Sequence, residues 1–233
     1  MTGWIFSRIR LRQAPAVAAL LPVIMPKSAE DRARSGHHWV WSLFADGPDR
    51  ARDFLWRRDT DPRQGECIFT LSARPPLDPF GLFEIDSKPF EPTLAVGDRL
   101  RFRLRVVPAA SRPGAAGSAR GVRYNPVQTA LAALTPEERR YRRATVIPTV
   151  LGDWLAKQGA KSGFTLQRDP LLTVLADDWV RLPRDGAAPM DFLAVDVDGS
   201  LTVTDPAAFV GKLLQGFGRS RAFGCGLMLI RRG

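Results

Sequence analysis

The sequence is short of the residues that most often carry covalent staples or proton chemistry. Of 233 residues, two are cysteine and two are histidine. Cys67 lies in an apolar run and Cys225 among glycines. Neither has the spacing of a metal-ligand set, and the pair does not make a disulfide framework. No apolar run reaches the ~18 residues of a membrane-spanning helix. The opening stretch MTGWIFSRIRLRQ interleaves arginine with apolar residues. It has neither the unbroken apolar core nor the small-residue cleavage site of a secretory signal. The expectation is a cytoplasmic protein with no membrane partner. Lysine is scarce, yet Lys and Arg together number 34 against 24 Asp and Glu, for a net charge of +10 and a pI near 10.7. That excess is almost all arginine, whose planar guanidinium suits phosphate better than an ammonium does. A polyanionic partner is the first inference; a genome that encodes arginine readily is the alternative.

What is present is an ordinary core, 45% hydrophobic by composition, arranged in two halves. WIFSRIRLR (4–12) and CIFTLSAR (67–74) read as strands. Ser28 with Asp31 opens a helix to about Phe44, with Val40, Leu43 and Phe44 on its buried side. DGPD (46–49) is a turn, and KPFEPTLAVGD (88–98) reads as a linker. In the second half, RLRFRLRV (99–106) is the cleanest strand. SRPGAAGSARG (111–121) is low in complexity. TPEERRYRRA and VIPTVLGDWLAKQG give helical pieces, the latter ending at Gly159. Further strands follow, with turns at 184–189 and 198–200. Asp205 caps a helix with Pro206 at its first position, running to Gln215. Each half reads as β-α-β-β-α-β. The expected class is α+β with two tandem ferredoxin-like (RRM-like) domains at 1–88 and 99–233, joined by a linker at 89–98.

Four features bear on chemistry. Arg99, Arg101, Arg103 and Arg105 alternate with Leu100, Phe102, Leu104 and Val106, so one strand face is apolar and the other carries guanidiniums about 6.6 Å apart. Such a row is either a solvated outer face or a nucleic-acid stripe. LAVDVDGSLT (193–202) has the D-x-D-G-[ST]-L pattern of haloacid-dehalogenase-type phosphatases, with Asp196 as nucleophile and Asp198 as acid/base. Too little chain follows to complete that domain, so a hairpin with Asp198-Gly199 as its turn is preferred. His37 and His38 lie in the predicted first helix, where Arg34, His37 and Trp41 share a stripe. Neighbours on a helix diverge by about 100°, so the two imidazoles do not share one metal, and no metal site is expected. A histidine can move the protons needed for metal-free RNA cleavage; a packed or surface histidine is the other reading. Finally, GFGRSRAFG (216–224) is not a dinucleotide loop, because Arg221 stands where the third glycine belongs and helix precedes strand. It is a helix-to-strand turn with little side-chain bulk, able to approach a phosphate backbone, with Arg219 and Arg221 protruding.

The same loop, GFGRSRAFGCGLML, resembles the glycine-rich loop of the CasE/Cse3 family of CRISPR-associated endoribonucleases. HHWVWSLFADGPDRARDFLWR (37–57), KPFEPTLAVGDRLRFRLRVVP (88–108) and VDGSLTVTDPAAFVGKLLQGFG (197–218) resemble further family segments in the same order. The resemblance implies two ferredoxin-like domains and cleavage of CRISPR repeat RNA beside a stem-loop. It further implies no metal or cofactor, a 2′,3′-cyclic phosphate product, and a cytoplasmic protein, monomeric until it joins the other subunits of Cascade. The family histidine lies four residues before a tryptophan, so Trp41 points to His37. Arg34 stands where some relatives have tyrosine and is taken to assist. RNA binding is carried over to Arg99, Arg101, Arg103, Arg105, Gly216, Gly218, Arg219, Arg221, Gly224 and Gly226. Arg181 and Arg184 stand in for a lysine-rich basic hairpin. The family's RFRLRANP is RFRLRVVP here, so Val107 replaces an asparagine, and the segment 121–143 holds an insertion relative to the family pattern. The alternative is a non-catalytic RNA-binding subunit with an idle histidine.

Overall fold

A computed structural model describes residues 3–15, 17, 36, 38–45, 47, 52–61, 65–113, 121–168, 171–184 and 187–233, the side chains of 183, 184, 187 and 188 excepted. The chain forms two compact units. Unit 1 comprises Met1–Pro92, Val180–Asp191 and Ser220–Leu227; unit 2 comprises Thr93–Trp179, Phe192–Arg219 and Met228–Gly233.

Unit 1 is built on an antiparallel sheet of β1 (Ile5–Leu11), β2 (Phe54–Asp61), β3 (Gly65–Ser72) and β4 (Phe83–Pro89), in the order β2-β3-β1-β4. Arg8 of β1 stands opposite Asp86 of β4 and pairs with it at 2.8 Å, the favourable cross-strand arrangement for opposite charges. Gly36 and residues 38–42 are helical. Val40, Leu43 and Phe44 are buried as the sequence predicts. Phe44 stacks on Phe54 at 4.4 Å, and Trp41 and Trp39 meet Phe54 and Phe83 edge-on at 5.5 and 5.3 Å. Arg74 donates to the Phe44 carbonyl at 2.7 Å and to Asp53 at 2.9 Å. A cation there complements the carbonyls left open where the helical turns end. The predicted cap at Ser28 and Asp31 lies outside the described residues, as do positions 46 and 48–49 of the predicted turn.

The second helix expected in the first half is not formed: residues 73–82 run as bends and turns from β3 to β4. Its sequence, ARPPLDPFGL, holds three prolines, which lack the amide donor a helix interior requires. Asp78 instead accepts from the amides of Leu82 and Phe83 at 3.1 and 2.8 Å and starts β4.

Unit 2 holds β5 (Arg99–Val106), α1 (Pro126–Ala132), α2 (Pro136–Ser162), β8 (Phe164–Leu166), α3 (Pro206–Gln215) and β11 (Met228–Arg232). It also takes most of β9 (Thr173–Arg184) and β10 (Ala187–Val203). The sheet order is β11-β5-β10-β8, with β9 on β10, while β6 (Ala110–Arg112) and β7 (Val122–Tyr124) make a separate short ladder. Residues 114–120 of the low-complexity stretch lie outside the described residues. The apolar face of β5 is buried as its alternation predicts, together with Val195, Val197 and Leu201 of β10 and Phe209 and Leu213 of α3. Each such side chain contributes about 1.5–3 kcal/mol by leaving water.

Two boundaries differ from those predicted. α2 is one continuous helix through Pro148 and Gly159, opened by a Thr135–Glu138 capping box and closed by Gly163 at φ 73°. A Cβ on Gly159 would lie 3.0 Å from the Phe164 ring, so that glycine serves packing and not termination. β10 runs unbroken through Asp198-Gly199, so no turn forms there. Gly199 pairs with Phe102, and a Cβ would lie 2.7 Å from that ring and 2.6 Å from Leu172 Cδ2. The glycine makes room for a core aromatic.

Candidate nucleic-acid interface

In unit 2 the four strand arginines share the polar face of β5, as predicted, but they divide into two pairs. Opposite them in register stand Thr202, Ser200, Asp198 and Asp196 of β10. Arg103 donates to both carboxylate oxygens of Asp198, at 2.8 and 3.0 Å. Arg105 lies 2.7 Å from Asp178 and 4.0 Å from Asp196. The aspartates of the phosphatase-like motif are therefore counter-ions of the arginine strand. Arg99 and Arg101 stand opposite hydroxyl residues and are exposed. On the other side Arg101 is in register with exposed Arg231 of β11. Like charges directly opposite each other are unfavourable unless solvent or an anion screens them. Among the described residues no ion pair is formed by Arg99, Arg101 or Arg231.

The glycine stretch is shared by the two units, and all four of its sequence-predicted glycines take positive φ: Gly216 80°, Gly218 67°, Gly224 76° and Gly226 93°. Its unit 2 portion is fixed by backbone. Gly216 caps α3, and Arg219 donates its amide to the Val107 carbonyl at 2.9 Å. A Cβ on Gly218 would collide with that carbonyl and lie 2.7 Å from Val106 Cγ2. Val107 thus supports the stretch through its main chain while its side chain is buried. Arg219 is exposed.

The unit 1 portion forms a 3-10 turn at Arg221–Phe223. It is tied to β2: Trp56 Nε1 donates to the Ala222 carbonyl at 3.1 Å, and a Cβ on Gly224 would fall 3.1 Å from Trp56 Cζ3. Partial burial, and after it the charge of Arg221, holds the Arg52 guanidinium below its ordinary pKa.

The predicted catalytic residues, His37 and Arg34, both lie outside the described residues. Their immediate frame is described. Gly36 is buried, and a Cβ on it would lie 2.9 Å from Trp56 Cη2 and 3.1 Å from Arg58 Nη2. His38 is exposed. Arg181 is exposed, with Asp191 3.7 Å away, and Arg184 ends β9 with its side chain outside the described set. Three residues escaped sequence reading. Arg231 could have been found by placing the last strand beside β5, as the expected split-βαβ order requires. Arg52 gives no sequence signal among so many arginines. Trp56 gave a weak one, an indole donor within a buried strand, which must find an acceptor.

The sequence model of the family described as CRISPR associated protein matches residues 5–232. The endoribonuclease Cse3 of Thermus thermophilus is 32% identical over 151 residues, which is 61% of this chain and 60% of that protein. The Cascade subunit CasE of Escherichia coli K12 is 26% identical over 197 residues, 82% of this chain and 88% of that one. Among solved structures, Thermus Cse3 bound to an RNA representing a pre-cleavage complex superposes with a TM-score of 0.65 at 23% identity, covering 98% of this chain and 99% of that one. E. coli Cas6e gives a TM-score of 0.60 at 19% identity over 98% and 100%. The fold is theirs, a mixed α/β arrangement of antiparallel sheets. With a match running from the first strand to the last, the chain belongs to the CRISPR-associated protein family that includes Cse3 and CasE.

Proposed function

We propose that the protein is an endoribonuclease that binds the stem-loop of a CRISPR repeat, cuts precursor RNA beside it without a metal ion, and keeps the guide RNA as a Cascade subunit. The names of its relatives support this, one an endoribonuclease solved with RNA and the other a Cascade subunit. It acts in the cytoplasm and is monomeric until it joins the complex. Each half is a ferredoxin-like domain, the first without its second helix, with the boundary at 89–98. The strand orders β2-β3-β1-β4 and β11-β5-β10-β8 support that reading, since each sets the first and third strands side by side at the centre of its sheet.

The chemistry follows from the residues available. The 2′-oxygen attacks the adjacent phosphorus, the P–O5′ bond breaks, and a 2′,3′-cyclic phosphate is left. One proton leaves the 2′-hydroxyl and one reaches the departing 5′-oxygen; His37 serves one of these transfers. Arg34 offsets the charge that builds on the phosphorane-like transition state. Arg99 and Arg101, with Arg219 and Arg221 of the glycine stretch, hold phosphates. Arg103 and Arg105 contribute less, because carboxylates already meet them. Arg181 and Arg184 line the basic hairpin. The glycines 216, 218, 224 and 226 serve RNA binding through the positive-φ backbone that carries Arg219 and Arg221.

The observation that carries the reading is the convergence on Trp56: the residue before His37 and the turn bearing Arg221 both pack on one indole ring. The test incubates purified protein with repeat stem-loop RNA in EDTA. Wild type cuts, and His37→Ala loses about 10²–10⁴-fold in rate while still binding. Binding without cleavage by wild type, or undiminished cleavage by His37→Ala, overturns it.

A further inference from the structure

We infer that Trp56 is a positioning residue: its indole is the shared wall that fixes the 220–227 turn and the backbone leading into His37 relative to each other. The role rests on the cleavage reading above and adds to it a residue that touches no reacting atom.

Three observations converge on the ring. Its Nε1 hydrogen is spent on the Ala222 carbonyl, 166 residues away in sequence, at 3.1 Å. Gly224 lies against Cζ3 and Cη2, where a Cβ would stand 3.1 and 3.2 Å away. Gly36 lies against the same edge, where a Cβ would stand 2.9 Å from Cη2 and 3.5 Å from Cζ3. A Cβ at such distances has no room unless the ring or the backbone shifts. The Gly224 backbone at φ 76° is a conformation L side chains rarely adopt. All of these residues belong to unit 1.

Core packing alone would account for the burial of Trp56, which is 3% exposed and sits in the cluster with Ile9, Val40, Phe54 and Phe83. The N–H of any buried indole also needs an acceptor, and that the acceptor lies in the 220–227 turn is what ties the ring to that segment. Volume filling does not account for two bare glycines meeting at one ring edge. The ring can transmit a displacement: if it tilts, Arg221 and the residue before His37 lose their common reference. Reactions that depend on alignment are sensitive to such shifts, since about 1 Å of misplacement can cost 10²-fold in rate.

Trp56→Phe removes the N–H and keeps an aromatic plane; Trp56→Leu removes both. Single-turnover cleavage at saturating repeat RNA, equilibrium RNA affinity and hydrogen exchange are measured on the full-length proteins. Trp56→Phe is expected to cleave about tenfold slower with affinity changed less than about threefold, and Trp56→Leu about a hundredfold slower. Exchange rises together in 220–227 and in 36–45 for both variants. Wild-type rates in Trp56→Phe at saturation overturn the proposal, as does a rate loss no larger than the loss of affinity, or faster exchange in only one of the two segments. If the wild type itself does not cut repeat RNA, the cleavage reading fails, and coupled exchange of the two segments still decides whether Trp56 ties them.

Discussion

The glycine stretch and the arginine strand, the two regions proposed to hold RNA, are built in opposite ways. The stretch is set by main chain: Gly218 leaves room for the Val107 carbonyl, and Ala222 offers its own carbonyl to Trp56. Its arginines ride on a backbone that admits almost no substitution. The strand is set by side chains. Its backbone is an ordinary ladder that any residue could join, and which of its charges are available depends on what β10 places opposite, carboxylates for Arg103 and Arg105, hydroxyls for Arg99 and Arg101. Damage to the stretch should therefore appear as lost stability and geometry, insensitive to salt. Damage to the strand should appear as lost affinity that salt conceals.

The sharpest way to break this contrast is Gly218→Ala. Positive φ and the collision with Val107 should together cost about 2–3 kcal/mol, lowering Tm by roughly 5 °C or more, equally at low and high salt. A fully stable variant would show that the stretch is not fixed as described. Next, Arg99→Ala with Arg101→Ala should weaken repeat-RNA binding about tenfold or more at low salt and flatten the log K against log salt slope by about 1.5–2. Arg103→Ala with Arg105→Ala should change the slope less. Equal effects of the two double variants would erase the division between them. Asp198→Asn releases Arg103 and should raise RNA affinity a few-fold in the same titration, with little change in Tm because the pair is partly exposed.

The smallest effect belongs to Asp86, on β4 of the unit 1 sheet. Its hydrogen bond from Arg8, and after it the charges of Arg8 and Arg10, hold its carboxyl below the ordinary value. A depressed carboxylate stabilises the fold above its unfolded pKa and loses that contribution as pH falls through the native one. The Tm difference between wild type and Asp86→Asn should therefore be small near neutrality and vanish in acid.

The strands were legible because alternation leaves a direct mark: Arg99–Val106 alternates and forms β5 as read. Asp205 and Pro206 marked a helix start for the same kind of local reason. The failures were glycines whose purpose is tertiary. Gly159 and Gly199 look like a cap and a turn in one dimension, and in three they make way for Phe164 and Phe102. The Asp196/Asp198 pair was equally opaque, since its meaning depends on a register with β5 that no local pattern encodes. Trp56 was missed because its acceptor is 166 residues away. The resemblance of long motifs pointed to His37, a position that composition and spacing alone left open.

Attack by the RNA's own 2′-oxygen, with protons moved by His37, can be checked with a repeat stem-loop carrying one 2′-deoxy nucleotide at the scissile position, incubated in EDTA beside the all-ribose RNA. The deoxy RNA should bind as tightly and stay uncut, while the ribose RNA yields a fragment with the mass of a 2′,3′-cyclic phosphate. Cleavage of the deoxy RNA, or an upstream fragment with a free 3′-hydroxyl at the cut, would overturn that chemistry.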